Sequence, residues 1–195
     1  MGAGNHSTSK QTCECNADLK DTFFCATCGR IQEVAIESPF SFFDLKDAYQ
    51  IDLDYLRKRY LLLQRKLHPD RFVLALDKDK ELSAQYTARL NWAYRILNDP
   101  FSRADYLLSN IDADISVEDL QDQMMRQEKL EQLSTTEDLK RFYKDTQQEQ
   151  NALKDKLSLA FNKKDKLTAK KYLIQIKYFR KLSIGIENKI NKKCD

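Results

Sequence analysis

The sequence is short of chain breakers, with 4 glycines and 3 prolines among its 195 residues. Sheet-rich folds need tight turns, and tight turns draw on those two residues, so the scarcity argues against a predominantly β architecture. No apolar run approaches the ~20 residues of a membrane-crossing helix. No phosphate-binding loop, activated nucleophile or pair of carboxylates stands out, which makes an enzyme a distant alternative. The opening residues, MGAGNHSTSK, lack both the apolar segment of a secretory signal and the arginine-rich pattern of a mitochondrial presequence. They miss a myristoylation site by one residue, having His6 where serine or threonine is required. The chain therefore carries no readable address, as expected of a cytosolic protein or of an unusual or incomplete precursor.

What is present points to helices. At 42% hydrophobic the chain can bury a core as one larger domain or two small ones, and its leucine, lysine, glutamine and glutamate content favours helix. Net charge is +3, but its distribution is uneven: residues 110–150 hold 11 acidic and 5 basic side chains, and residues 151–195 hold 4 acidic and 13 basic. Antiparallel helices with complementary faces account for this. A basic nucleic-acid-binding tail is the sharper alternative, and the interleaving of these lysines with an apolar stripe argues against it.

Of the 5 cysteines, 4 fall within residues 13–28. An odd number without a secretory signal favours metal or free thiols over a disulfide framework. Cys25, Cys28 and Gly29 form the CxxCG arrangement of a zinc knuckle, with Cys13 and Cys15 as the expected second pair and His6 as a substitute ligand. The CxC spacing of that second pair is less usual, and the metal could be zinc or iron. A redox CxxC fits less well, because no buried strand precedes Cys25. A segment this poor in apolar residues needs such a staple to fold. Cys194, alone near the terminus, is incidental.

Pro39 marks a boundary, after which FSFFDL begins a short apolar element. Asp52 is placed to cap a helix from Leu53, in which Leu56, Tyr60, Leu63 and Leu67 make an apolar stripe while Arg57, Lys58, Arg65 and Lys66 occupy the remaining surface. Pro69 ends it beside His68. A polar loop leads to a second helix from about Asp79 to Leu97, its stripe built from Leu82, Tyr86, Leu90, Ala93 and Leu97. NDPFSRADYLLS starts a short further helix. Three more helical stretches follow. Leu139, Phe142, Thr146, Leu153, Leu157 and Ala160 stripe the middle one. The last carries Tyr172, Ile176, Phe179, Ser183, Ile186 and Ile190, with a second stripe of Ile174, Tyr178 and Leu182 that is too broad for a single buried face and with Gly185 as a weak point.

The tripeptide His68-Pro69-Asp70 could be a metal site, but the other histidine lies in the leader. It could be a catalytic dyad, but a two-helix hairpin offers little concavity. The remaining reading is recognition. A positive helix, this loop, and a second helix carrying LNWAYRILND together resemble a J-domain, the module by which co-chaperones engage DnaK-type ATPases, over about Phe40 to Ser109. DPFSRADYLLS, an acidic helix and a small bundle extend the resemblance to the HscB-type (Jac-type) co-chaperones of iron–sulfur cluster assembly. The cysteine segment is similar to the metal-binding extension of their animal-type members, with CxC where that family has CxxC.

The resemblance implies a mainly α fold: a cysteine metal-binding segment over residues 1–37, a J-domain hairpin over 38–109 and a C-terminal three-helix bundle over 110–195. It implies a DnaK-type (heat-shock seventy class) chaperone as partner, met by His68, Pro69, Asp70, Arg71, Arg57 and Arg65. It also implies an iron–sulfur cluster scaffold protein bound through Leu120, Met124, Met125, Glu128 and Tyr178, and it leaves room for self-association. Leu120, Met124 and Glu128 share a helical face by their spacing, although such residues are more often core than interface. No organic cofactor and no membrane are expected, and family habit places the protein in the mitochondrial matrix. The rival from another class is a zinc-dependent helical adaptor that binds RNA or another acidic partner through the lysine-rich C-terminal half.

Overall fold

The computed structural model describes residues 13–17 and 23–192. Its helices are α1 (Leu53–Leu67), α2 (Asp77–Asn98), α3 (Pro100–Leu107), α4 (Val117–Gln132), α5 (Thr136–Asn162) and α6 (Lys166–Asn191), with 3-10 turns at Ser41–Phe43 and Pro69–Phe72. Among the described residues, β pairing is confined to an isolated antiparallel bridge between Phe24 and Ile31. The mainly helical reading therefore holds.

Five of the six helices start where a short polar side chain can accept from an otherwise orphaned amide. Asp52 accepts from the N–H groups of Asp54 and Tyr55. Asp99, Ser116, Thr135 and Asp165 cap α3, α4, α5 and α6 in the same way. α2 begins at Asp77, two residues ahead of the expected Asp79, because the Leu76 carbonyl already accepts from the Asp79 and Lys80 amides.

The chain forms two compact units. One holds the cysteine segment, α1 and α2. Its core comprises Phe40, Phe42, Phe43, Leu56, Leu63, Leu67, Leu82, Tyr86, Leu90, Ala93 and Leu97, all buried. Tyr60 completes the α1 stripe differently from its neighbours. It is half-buried, its hydroxyl donates to Asn91 Oδ1 at 3.0 Å, and its ring stacks on Tyr94 with centroids 4.1 Å apart.

The other unit holds α3 to α6 together with Ala48–Gln50. The short helix α3, expected within the J-domain stretch, thus groups with the bundle helices. Leu139, Phe142, Leu153, Leu157 and Ala160 of α5 meet Ala169, Leu173, Ile176, Phe179, Leu182 and Ile186 of α6 in one cluster, with Leu130 of α4 and Ala104 and Leu108 from the α3 region. Burying each of the leucine, isoleucine and phenylalanine side chains among them contributes about 1.5–3 kcal/mol before entropy is charged against it. Tyr49 is held by a stack on Phe161, with centroids 4.3 Å apart and planes 7° from parallel.

The second stripe on α6 has a simple cause. α6 packs against α4 as well as α5, so Leu182 is buried and Tyr178 is half-buried. At Gly185 a side chain of α4 comes close to the α6 backbone. A Cβ there would meet Leu130 Cδ2 at 3.3 Å, so the weakest helix former in α6 is also what lets α4 come close.

Candidate functional site

α1 ends at Leu67, and its last carbonyls lack intrahelical partners. Pro69 has no amide to offer and the Arg71 N–H turns back to the His68 carbonyl at 3.0 Å, so the Leu67 carbonyl is satisfied from α2. Ser83 Oγ donates to it at 2.6 Å and Thr87 Oγ1 at 3.0 Å. Ser83 is fully buried, so these bonds form away from competing water. They fix the His-Pro-Asp turn to the second helix of the hairpin. Neither hydroxyl was singled out from the sequence. The available signal was a pair of small polar residues four apart beside an apolar stripe.

Within the turn, His68 Nδ1 accepts the Asp70 N–H at 3.3 Å, so the neutral ring carries its proton on Nε2. His68 is 49% exposed and Asp70 is 85% exposed, with the carboxylate 3.5 Å from Nδ1. The histidine is bonded to its own turn. The result is a carboxylate on a short 3-10 turn of fixed direction, pointing to solvent. Arg57, Arg65 and Arg71 are exposed around it and along α1. Arg59 of the same helix is tied instead to Asp44.

The cysteines come together as expected. Their four sulfurs all lie within 4.8 Å of one another, Cys13 Sγ is 3.5 Å from Cys28 Sγ, and Cys15 Sγ is 3.7 Å from Cys25 Sγ. A tetrahedral ion with bonds of about 2.3 Å sets its sulfurs about 3.8 Å apart, so the donor set fits a tetrathiolate ion. Gly29, at φ 72, turns the CxxCG loop so that its N–H reaches the Cys25 carbonyl at 2.9 Å. Asn16, at φ 64, turns the CxC loop and donates to the Cys13 carbonyl at 2.8 Å. That left-handed residue lets a spacing one short still deliver both thiols. His6 and Cys194 lie outside the described residues.

The thiols differ in acidity. The Cys28 and Thr27 amides, aimed at its sulfur, lower Cys25 to about 6. At Cys28 the Arg30 amide is the largest single influence and lowers the value, but Cys13, burial and the other two thiols outweigh it and push Cys28 up to about 12. Cys15 is also raised: the Ala17 amide lowers it, and Cys13 and burial outweigh that. Crowded sulfurs resist carrying negative charge together, and a bound cation relieves that resistance.

The cysteine segment is fastened to α2 through Tyr86. The Tyr86 hydroxyl donates to the Gln32 carbonyl at 2.9 Å and accepts the Val34 N–H at 2.7 Å. Phe23 stands edge-on to the Tyr86 ring at 5.3 Å and stacks on Phe42 at 5.5 Å.

On the bundle, Leu120, Met124, Met125 and Glu128 of α4 are all exposed, Met124 at 65%. Val117, also exposed, stands one turn before Leu120 and was not singled out from the sequence. At 100° per residue, Val117, Leu120, Met124 and Glu128 share a side of α4 and Met125 flanks it next to Glu128. Tyr178 is half-buried, and its hydroxyl donates to the Gln123 carbonyl at 2.8 Å. Burial holds that hydroxyl above the usual phenol range. Tyr178 lines a groove of about 200 Å³ among α4, α5 and α6. The groove's carboxylates are already bonded, Asp119 to Gln175 and both Asp122 and Glu149 to Arg126.

Residues 118–187 match the model of the HSCB C-terminal oligomerisation domain. A protein from Mannheimia succiniciproducens described as a co-chaperone protein HscB homolog is 32% identical over 172 residues, which cover 82% of this chain and 99% of that one. The chain belongs to the HscB co-chaperone family. The corresponding protein of Photobacterium profundum is 35% identical over 160 residues, 76% of this chain and 94% of its own. The crystal structure of human co-chaperone protein HscB superposes with a TM-score of 0.82 at 28% identity, covering 92% of this chain and 98% of that one. Chaperone HscB from Vibrio cholerae gives 0.70 at 27% identity, over 80% and 98%. The hairpin of α1 and α2 is thus the J-domain of an HscB-type protein, and α4 to α6 are its C-terminal bundle.

The double variant Ser83→Ala with Thr87→Val leaves the Leu67 carbonyl without a donor inside the hairpin. The expected outcome is a loss of about 1–3 kcal/mol in unfolding free energy, measured by urea titration. A stability equal to the parent's would mean that water serves this carbonyl as well as the hydroxyls do.

Proposed function

We propose that this chain stimulates ATP hydrolysis by a DnaK-type chaperone through His68, Pro69 and Asp70, and that its bundle carries an iron–sulfur cluster scaffold protein to that chaperone. The observation that carries the reading is the Asp70 carboxylate, 85% exposed on a turn anchored at Leu67, at the end of a basic helix in an HscB-family chain. Such a carboxylate can meet a basic group on the ATPase while Arg57, Arg65 and Arg71 steer the approach to an acidic surface. Hydrolysis depends on positioning and electrostatics around the phosphates, so docking that favours the competent arrangement raises the rate without supplying a reacting group.

Scaffold binding is assigned to Leu120, Met124, Met125, Glu128 and Tyr178, with Val117 extending the apolar side. Exposure of four of the five assigned side chains leaves them available to a partner. The rival in which the lysine-rich half binds RNA is weakened by how those lysines are used. Lys170 donates to the Leu108 carbonyl at 3.0 Å, Lys177 pairs with Asp105 at 2.6 Å, and Lys189 reaches the Leu130 and Glu131 carbonyls at 2.6 and 2.8 Å. Lys189 thereby completes the C-terminal end of α4, where cations are favoured.

The metal proposed for Cys13, Cys15, Cys25 and Cys28 is zinc in a structural role. When bound it would replace the missing apolar core of the segment and hold its two loops together.

Asp70→Ala, or His68→Gln, abolishes stimulation in single-turnover ATPase assays while folding and scaffold binding persist; retained stimulation removes the docking reading. Leu120→Ala, Met124→Ala and Tyr178→Ala combined weaken scaffold binding and leave ATPase stimulation at the parental level. Should that triple variant unfold, the residues are packing groups. Metal-replete protein carries a single zinc ion per chain by elemental analysis. Its affinity, read against a competing chelator, falls as pH is lowered from about 8 to about 6, because protons and the ion compete for the same thiolates. Cys15 and Cys28, held as thiols in the metal-free site, release their protons on binding. Protein without zinc, or affinity indifferent to pH, counts against the assignment.

A further inference from the structure

Two leucines in the middle of α1 stand outside its buried stripe. Leu61 and Leu62 are 42% and 43% exposed, on the half of the helix turned away from the covered stripe of Leu56, Leu63 and Leu67. Side chains four apart lie one above the other on a helix. Arg57, Leu61 and Arg65 therefore form one row, and Lys58, Leu62 and Lys66 form the row beside it. Each row is a leucine between two cations. All four cations are exposed, and among the described residues no carboxylate forms an ion pair with any of them, whereas Arg59 has Asp44.

A single exposed leucine would need no account. Two in adjacent rows, each framed by unneutralised positive charge, make a small apolar patch inside a cationic surface. Such a patch matches a surface where carboxylates ring an apolar centre, which is the ordinary layout of a protein interface.

We propose that Leu61 and Leu62 are apolar contacts of the chaperone-docking face, seated on the ATPase when the His-Pro-Asp turn engages it. The proposal rests on the docking reading given above. Continuity names the occupant. α1 runs unbroken from Leu61 to the turn, and at 1.5 Å per residue the leucines stand about 10 Å from His68. A standard interface covers about 800 Å² on each partner, a patch roughly 30 Å across. A protein that meets Asp70 and Arg65 therefore also covers both leucines. An anionic membrane would suit the cations and leucines, but it would set the Asp70 carboxylate against like charge.

The test is the full chain carrying Leu61→Gln and Leu62→Gln, bound to a DnaK-type chaperone in its ATP state over a range of salt. Affinity should fall about tenfold, mostly through faster dissociation, while the salt dependence of association stays parental. Arg57→Ala with Arg65→Ala should do the reverse, slowing association at low salt. Leu62→Ala alone should move dissociation in the same direction by less, and it keeps the test open if the double variant folds poorly. Parental dissociation in the leucine variants overturns the proposal. So does parental chaperone binding with loss of binding to phosphatidylserine vesicles, since the patch would then serve a membrane. His68→Gln run in parallel separates the two levels. If it leaves stimulation intact, the docking reading itself fails; if it abolishes stimulation and the leucine variants are parental, only the leucine assignment fails.

Discussion

The Leu67 carbonyl is the pivot of the hairpin. A helix that stops at a proline leaves acceptors that its own backbone cannot serve, and here the shortfall falls on the residue just before His68. Two hydroxyls from α2 converge on that one oxygen. An unpaired buried carbonyl would cost about 1–3 kcal/mol, enough to let the turn seek another arrangement. With both bonds made, the start of the turn is tied to α2, and the Asp70 backbone is carried at a set place in front of it.

The same helix face does a second job. Ser83, Tyr86, Thr87 and Leu90 follow one another along α2. Ser83 and Thr87 hold the turn, while Tyr86 reaches the other way, with its ring in the core and its hydroxyl shared between Gln32 and Val34. The cysteine segment has few apolar residues of its own, so it borrows a wall from the hairpin through Tyr86, Phe42 and Phe23. Lys78 to Glu33 at 3.2 Å and Arg89 to the Ile36 carbonyl at 3.0 Å add contacts at the rim. Those outer bonds are exposed and contribute less.

Much of this was legible in the sequence, for identifiable reasons. Local signals worked: Asp52 as a cap, the four-and-three spacing in α1, α5 and α6, the four cysteines. Each depends on residues a few positions apart, within reach of backbone periodicity. What escaped was pairing at long range. Nothing near Ser83 says that its partner is the carbonyl of residue 67, because that depends on how two helices rotate against each other. The CxC pair came together as expected despite its unusual spacing. Spacing rules assume an ordinary turn, and Asn16 supplies a left-handed one. The broad second stripe of α6 was readable as an anomaly. Its cause, a neighbour on each side, became visible only once α4 was seen packed against α6 at Gly185.

The uneven charge of the C-terminal half shows how the bland and sharp readings of a pattern are separated. A run of lysines suggests a nucleic-acid surface only while the lysines are free. In the bundle, Lys170, Lys177 and Lys189 are spent on the Leu108 carbonyl, on Asp105 and on the C-terminal carbonyls of α4. Their charge is used to hold α6 against the α3 region and α4. On α1 the opposite holds, since Arg57, Lys58, Arg65 and Lys66 stay in solvent. Positive charge used internally is architecture, and positive charge left unpaired beside an exposed carboxylate and two exposed leucines is a surface shaped for a partner. The chain's total of +3 conceals that difference, because side chains of the same sign perform opposite tasks in its two compact units.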